Sequence, residues 1–197
     1  MVIGERFAWG HLQKTAGDAT LGMFQLFPDL ILHADPRNVE DKHASFASRA
    51  DQVEGKLLAS NFRRLPAWTL SWAHHRAKYA TRPDGRAASM NSPQQMVDVP
   101  RADKRLSFLL DSGRYTVDRW IRMEDLAADF SDFISEFTEL TAPDRERIAS
   151  FEPVNALAYD HHVENWFTPA QVRDLYANNP MWASVEERVY GDLALLD

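Results

Sequence analysis

The sequence predicts an α/β fold in which a central parallel sheet is flanked by helices on both faces, and three observations lead there. Strand-like segments give way to helical ones three times along the chain, the alternation that builds parallel sheets. The 197 residues suffice for one full-sized domain with a substantial core. Hydrophobic residues at 45% and charged residues at 26% are ordinary for a chain that folds unaided. A single domain over 1–197 is therefore expected.

The first segment, Arg6 to Leu12, has the character of a buried strand, followed by a small-residue turn, Lys14-Thr15-Ala16-Gly17. Asp18 is placed to N-cap a helix through Leu21, Phe24 and Leu26, stopped at Pro28. A second short strand is expected over Leu30 to His33, then a polar loop, then a helix from His43 or Ala44. Lys56 to Phe62 forms the next strand, and Pro66 suits the first turn of a helix through Trp68, Ser71, Trp72 and His75. Residues 81–100 hold Pro83, Gly85, Pro93 and Pro100 among polar residues, the composition of a long loop and a lid candidate. Beyond it, Asp103 to Leu110 is helical in pattern and Tyr115 to Arg122 strand-like. Glu124 to Phe137 is an amphipathic helix with Leu126, Phe130, Phe133, Ile134 and Phe137 inward. Two further helices are expected around Pro169 to Tyr176 and Trp182 to Val189, and no internal repeat is present.

Composition excludes several function classes. Without cysteine there is no disulfide, thiolate nucleophile or cysteine zinc site, and a reducing cytoplasm is the expected compartment. No stretch approaches the ~18 apolar residues of a membrane span, so no transmembrane segment is expected. A formal charge of −7 argues against a nucleic-acid partner and confines any anion site to a local feature.

That local feature is the first strand-to-helix turn, where free backbone N–H groups and the helix dipole suit a phosphate and Lys14 adds a full charge. It is not a Walker A loop, because Gln13 precedes the lysine and the glycine follows at Gly17. His11-Leu12-Gln13-Lys14-Thr15-Ala16-Gly17 resembles the 5′-phosphosulfate loop of sulfotransferases that use 3′-phosphoadenosine-5′-phosphosulfate (PAPS), in particular the branch of heparan sulfate 2-O- and 6-O-sulfotransferases. The resemblance implies a three-layer, P-loop-like version of the α/β fold. It assigns Lys14 to the bridging oxygen of the phosphosulfate, and Thr15, Ala16 and Gly17 to the loop backbone. Asp18, Ala19 and Thr20 complete the cofactor segment. Asp18 and Ala19 depart from the family's hydroxyl residues, so Asp18 is assigned to capping and Thr20 kept as a hydroxyl donor.

Asn61 through Ser71 resembles the family's 3′-phosphate element, in which an arginine at a strand end acts with a serine eight residues later. Arg63 and Ser71 have that spacing, while Pro66 would put Arg64 in register, so Arg63 is taken with Arg64 assisting. Such a pair could grip a phosphate dianion from two sides. Trp120 to Phe130 resembles a later strand-to-helix segment, in which Arg122 and Glu124 are expected to be a structural, buried pair; the tail from Trp166 to Gly191 is also similar to the family's terminal helices.

Seven histidines invite a metal site, yet adjacent helical residues such as His74-His75 or His161-His162 point about 100° apart and do not chelate alone. No metal is expected, and His161 with Glu164 is read as a surface pair. His43, in Asp41-Lys42-His43-Ala44-Ser45, resembles the segment that carries the catalytic base of the 6-O branch, with His33 the alternative. The resemblance as a whole implies sulfuryl transfer from PAPS to an acceptor hydroxyl on a glycan, glycolipid or small molecule, releasing 3′-phosphoadenosine-5′-phosphate. A nucleotide-dependent small-molecule kinase and a non-catalytic nucleotide-binding module of the same fold are the alternatives. The acceptor, possibly carbohydrate in view of six tryptophans, and the oligomeric state stay open.

Overall fold

A computed structural model of the chain describes residues 1–36, 40–79, 93–99, 101–152, 154 and 156–196. The lid candidate at 81–100 lies outside them apart from 93–99, where Pro93–Met96 forms a short 3-10 helix. The strands are β1 (Val2–Ile3), β2 (Phe7–Gly10), β3 (His33–Ala34), β4 (Leu57–Phe62) and β5 (Arg119–Arg122). The α-helices are α1 (Gly17–Phe24), α2 (Ala50–Val53), α3 (Leu65–Tyr79), α4 (Arg101–Leu109), α5 (Leu126–Ser135), α6 (Ala142–Ala149), α7 (Pro169–Ala177) and α8 (Pro180–Tyr190). None of the described helices is long and apolar enough to cross a membrane. The chain divides into two compact units, Met1–Phe62 with Ser107–Asn155, and Arg63–Leu106 with Ala156–Asp197.

The first unit is built on a five-stranded sheet of order β3-β1-β2-β4-β5. β2 and β4 are parallel, Phe7 facing Leu57 through to Gly10 facing Ser60, and β4 and β5 are parallel from Ala59 and Arg119 to Phe62 and Arg122. β1 is antiparallel to both β2 and β3, so the sheet is mixed, with four strands running one way and β1 the other. The expected parallel sheet is present in β2, β4 and β5, and the antiparallel β1 is an addition to it. Only Gly4 to Arg6 separates β1 from β2, and a connection that short makes a hairpin and never a crossover. Gly4 N–H donates to the Phe7 carbonyl at 2.9 Å across that turn.

β2 is buried along its whole length, as a central parallel strand should be. Phe7 and Trp9 join Leu21, Met23 and Phe24 of α1, Phe130, Phe133 and Ile134 of α5 and Ile148 of α6 in one core. The Phe7 ring stacks on Phe24 at 5.7 Å, and Phe24 meets Phe130 edge-on at 5.1 Å. Each buried aromatic contributes roughly 1.5–3 kcal/mol from area alone, so the i, i+3, i+4 stripe of α5 fixes that helix on the sheet. Arg122 secures the same junction by donating Nε and Nη2 to Asp129 at 2.9 and 2.7 Å and pairing with Asp125 at 3.1 Å. Its ion pairs to Asp125 and Asp129 tie the strand to the helix, and at 36% exposure it is no buried residue. α6 was not foreseen, although Thr141-Ala142-Pro143-Asp144 forms a capping box with proline in the first turn.

The second unit is helical. Trp68 of α3 stacks on Trp72 at 5.2 Å and packs on Trp182 of α8 at 5.2 Å, and the Trp182 indole N–H donates to the Arg63 carbonyl at 3.1 Å. Asp103 of α4 accepts from the Met181 and Trp182 N–H groups at 3.0 and 2.7 Å, while Asn179 accepts from Ala102 and Asp103 N–H at 3.1 and 3.2 Å. Each of these two helix starts thus satisfies the other's free N–H groups.

Candidate functional site

Leaving β2 at Gly10, the chain passes His11 and Leu12, turns through 13–16 and enters α1 at Gly17. Lys14 and Ala16 both adopt left-handed backbone, φ 66° and 65°. For residues with a Cβ this costs about 1–2 kcal/mol each, so the surrounding fold must enforce it. Thr15 between them is fully buried, its hydroxyl donating to the Leu12 carbonyl at 2.7 Å. The enforcement reaches deeper through a chain of buried bonds. The Trp9 indole N–H donates to Asn61 Oδ1 at 2.7 Å, Asn61 Nδ2 donates to the Thr20 hydroxyl at 2.7 Å, and that hydroxyl donates to the Ala16 carbonyl at 3.3 Å. β2, β4, α1 and the turn are thereby held in one register.

These bonds correct two expectations. Ala16, not Asp18, is the N-cap of α1, and no side chain caps that end. Asp18 instead sits in the first turn, where its charge suits the helix dipole, and accepts from Lys42 Nζ at 2.8 Å. Thr20 is fully buried with its hydroxyl engaged by Ala16 and Asn61, which makes it a structural group and not a donor to a ligand. Ala19 is buried too.

Gly17 is required by its neighbour, since a Cβ there would lie 2.0 Å from the His11 ring. His11 is buried, its Nδ1 has no hydrogen-bond partner, and burial holds its pKa well below the ordinary histidine value, with nearby His43 acting the same way. The two imidazoles meet edge-on at 4.4 Å. His43 Nδ1 lies 3.2 Å from the His11 carbonyl, and since a carbonyl only accepts, Nδ1 is the protonated nitrogen and Nε2 keeps its lone pair. Burial lowers the His43 pKa to about 4, against the opposing bond to His11, so the ring is neutral at pH 7. Nothing in the spacing of residues 18 and 42, or 11 and 43, announced these pairs. His33, the alternative base, is tied to Asp35 at 2.8 Å.

Arg63, Arg64 and Ser71 belong to the second unit, the arginines just before α3 and Ser71 in its second turn. Arg64 is already engaged. It donates to Glu186 at 3.3 Å and to Asp192 at 2.6 Å, and lies 4.0 Å from the Tyr190 ring centre. Glu186 is fully buried and also accepts from the Tyr176 hydroxyl at 2.7 Å and the Leu65 N–H at 2.8 Å. This network corrects the assisting role expected of Arg64, because removing its guanidinium would leave Glu186 without its cation. Arg63 differs. It is buried, its Nε has no hydrogen-bond partner, and Nη2 makes a long 3.5 Å contact with the Tyr159 hydroxyl.

Among the described residues no three His, Cys, Asp or Glu side chains gather as metal ligands. His74 stacks on Tyr159 at 4.3 Å, and the surface pair expected of His161 is made by His162, 3.3 Å from Glu164.

No family model, curated protein or solved structure matches the chain. Function must be argued from the site itself.

Proposed function

We propose that the protein is a sulfotransferase that moves a sulfuryl group from PAPS to an acceptor hydroxyl. The observation that carries this reading is the β2–α1 turn, where left-handed Lys14 and Ala16 bracket Thr15 immediately before a helix N-terminus. Alternating backbone hands aim successive N–H groups into one concavity, and the helix dipole favours an anion there. Strain of this kind in residues with a Cβ is characteristic of ligand clamps. The small side chain at Ala16 keeps bulk away from the turn, and the buried His11 Nδ1, on the ring packed against Gly17, has no hydrogen-bond partner, which supports a polar ligand at this turn. The three-layer, P-loop-like arrangement and a cytoplasmic setting belong to the same proposal.

When bound, the nucleotide supplies an electrophilic sulfur and a phosphate leaving group. Lys14 balances the charge that grows on the bridging oxygen as the S–O bond breaks. His43, neutral with its Nε2 lone pair available, takes the proton from the acceptor hydroxyl. Lys42 offsets the negative charge of Asp18 that would otherwise oppose an anion at this turn. Arg63 with Ser71 is assigned to the 3′-phosphate, supported by the unpartnered Arg63 Nε; Arg64 is left out because Glu186 and Asp192 hold it. Lys14 and His43 are the residues we assign to catalysis. The acceptor is a hydroxyl compound, with carbohydrates among the candidates.

The experiment is a transfer screen with sulfur-labelled PAPS against glycans, glycolipids and phenols. Label appearing in an acceptor with wild type and not with Lys14→Ala supports the reading. Transfer of phosphate from ATP with magnesium, and none of label from PAPS, overturns it.

A further inference from the structure

We propose that Tyr159 determines specificity for the nucleotide by donating its hydroxyl to the 3′-phosphate, with the His74 ring as the positioning residue beside it, an assignment that rests on the sulfuryl-transfer reading in which Arg63 takes that phosphate. All three residues belong to the second unit. Arg63, just before α3, is 7% exposed, so water solvates its charge poorly. Among the described residues its side chain has one hydrogen-bond partner, the Tyr159 hydroxyl, which Nη2 reaches at a long 3.5 Å, and its buried Nε has none. Nε and Nη2 share one edge of the guanidinium and donate in parallel, the edge that grips two oxygens of an oxyanion. That edge is short of an acceptor.

Tyr159 is held beside it by its ring and its backbone. The His74 ring stacks on Tyr159 at 4.3 Å with 12° between the planes, His161 lies 4.1 Å away, and Trp166 meets His74 edge-on at 4.9 Å. Asp160 folds the loop that follows. Its carboxylate accepts from the His162 N–H at 2.9 Å and from Asn165 Nδ2 at 2.6 Å, and its carbonyl accepts from the Trp166 indole at 2.9 Å, so the acid next to Tyr159 is occupied within its own loop. Because the Tyr159 oxygen accepts from Arg63, its proton is directed elsewhere, and no acceptor for it lies among the described residues. A second observation points to a ligand. Nε2 of His74 is also buried without a hydrogen-bond partner, so two orphaned polar atoms belong to residues that touch one tyrosine. A phosphate monoester matches this set. The Arg63 edge takes two of its oxygens and the Tyr159 hydroxyl the third, which a carboxylate lacks.

Titration calorimetry of the full chain with 3′-phosphoadenosine-5′-phosphate and with adenosine 5′-phosphate tests the assignment. Tyr159→Phe keeps the ring and removes only the hydroxyl. It should bind 3′-phosphoadenosine-5′-phosphate about tenfold more weakly, the value of one hydrogen bond to a charged group, bind adenosine 5′-phosphate as wild type does, and melt with wild type. His74→Ala should show the same selective loss, and His74→Phe, which restores a flat ring, should recover it. The proposal is overturned if Tyr159→Phe binds both nucleotides like wild type, or loses both equally, while Arg63→Ala abolishes the preference between them; the reading of Arg63 then stands without Tyr159. Wild-type binding by His74→Ala overturns the positioning role. If wild type shows no preference, or Arg63→Ala leaves it unchanged, the reading of Arg63 fails and this proposal with it.

Discussion

The Trp9 indole N–H donates to Asn61 Oδ1 at 2.7 Å, and this buried bond joins the strand that feeds the candidate anion loop to the neighbouring strand. Asn61 passes the constraint on to Thr20 at 2.7 Å, and Thr20 to the carbonyl of left-handed Ala16. Asn61→Ala should therefore leave the Trp9 N–H and the Thr20 oxygen unsatisfied, lowering stability by about 2–4 kcal/mol. Urea denaturation would show it as a shifted midpoint. A loss within measurement error would mean that the network does not hold the loop.

Gly17→Ala tests a second relationship, the close approach of the His11 ring to the start of α1. A methyl group there overlaps the imidazole, so the variant should melt several degrees lower, about 1–3 kcal/mol for an overpacked site. Adding His11→Ala should restore part of that loss. If the double variant is no better than the sum of the singles, the contact is not the reason for glycine.

Stability should also fall on acidification through the buried histidines. His43 has a folded pKa of about 4, below the ordinary value of 6.5. The unfolded chain thus binds the proton first, and stability that is complete above pH 6.5 is lost as pH falls towards 4. Allowing for its partial exposure, His43 contributes on the order of 1–2 kcal/mol to that fall. Buried His11 acts in the same direction. His43→Gln should flatten the curve in this window, as measured by chemical denaturation at a series of pH values. An unchanged curve would contradict the burial of a neutral ring.

Much of this was legible in advance because it is local. Strand β2, the turn, strand β4 and helix α3 follow from apolar runs, small residues and a first-turn proline, all within a few positions of one another. β1 was missed because two residues are too short for a periodicity to declare itself, and its hairpin makes the sheet mixed. The cap of α1 was misassigned because Asp18 is a good capping residue by type, yet Lys42, 24 positions away, draws its carboxylate aside. The two arginines illustrate the same limit. The sequence favours Arg63 with Arg64 assisting, and only the fold brings Glu186 and Asp192 to Arg64.

Once an acceptor is in hand, Lys14→Ala should lower kcat far more than it weakens nucleotide binding, because its charge matters most as the leaving oxygen becomes negative. His43→Ala should lower kcat by roughly 10²-fold or more. The wild-type rate should rise with pH through an apparent pKa of about 4, and that limb should vanish in the variant. Full activity of His43→Ala with loss in His33→Ala would move the base to His33.

The central claim is that this chain recognises a nucleotide carrying both a 5′- and a 3′-phosphate. Titration calorimetry of 3′-phosphoadenosine-5′-phosphate, adenosine 5′-phosphate and ATP with magnesium tests it most directly. The account predicts that 3′-phosphoadenosine-5′-phosphate binds tightest. Arg63→Ala should weaken it by about tenfold or more, the value of one charge-assisted contact, while adenosine 5′-phosphate is scarcely affected. Arg64→Ala should lower stability without changing the ratio of the two affinities. Tighter binding of ATP with magnesium, no binding of 3′-phosphoadenosine-5′-phosphate, or equal losses for both adenosine nucleotides in Arg63→Ala would contradict the account.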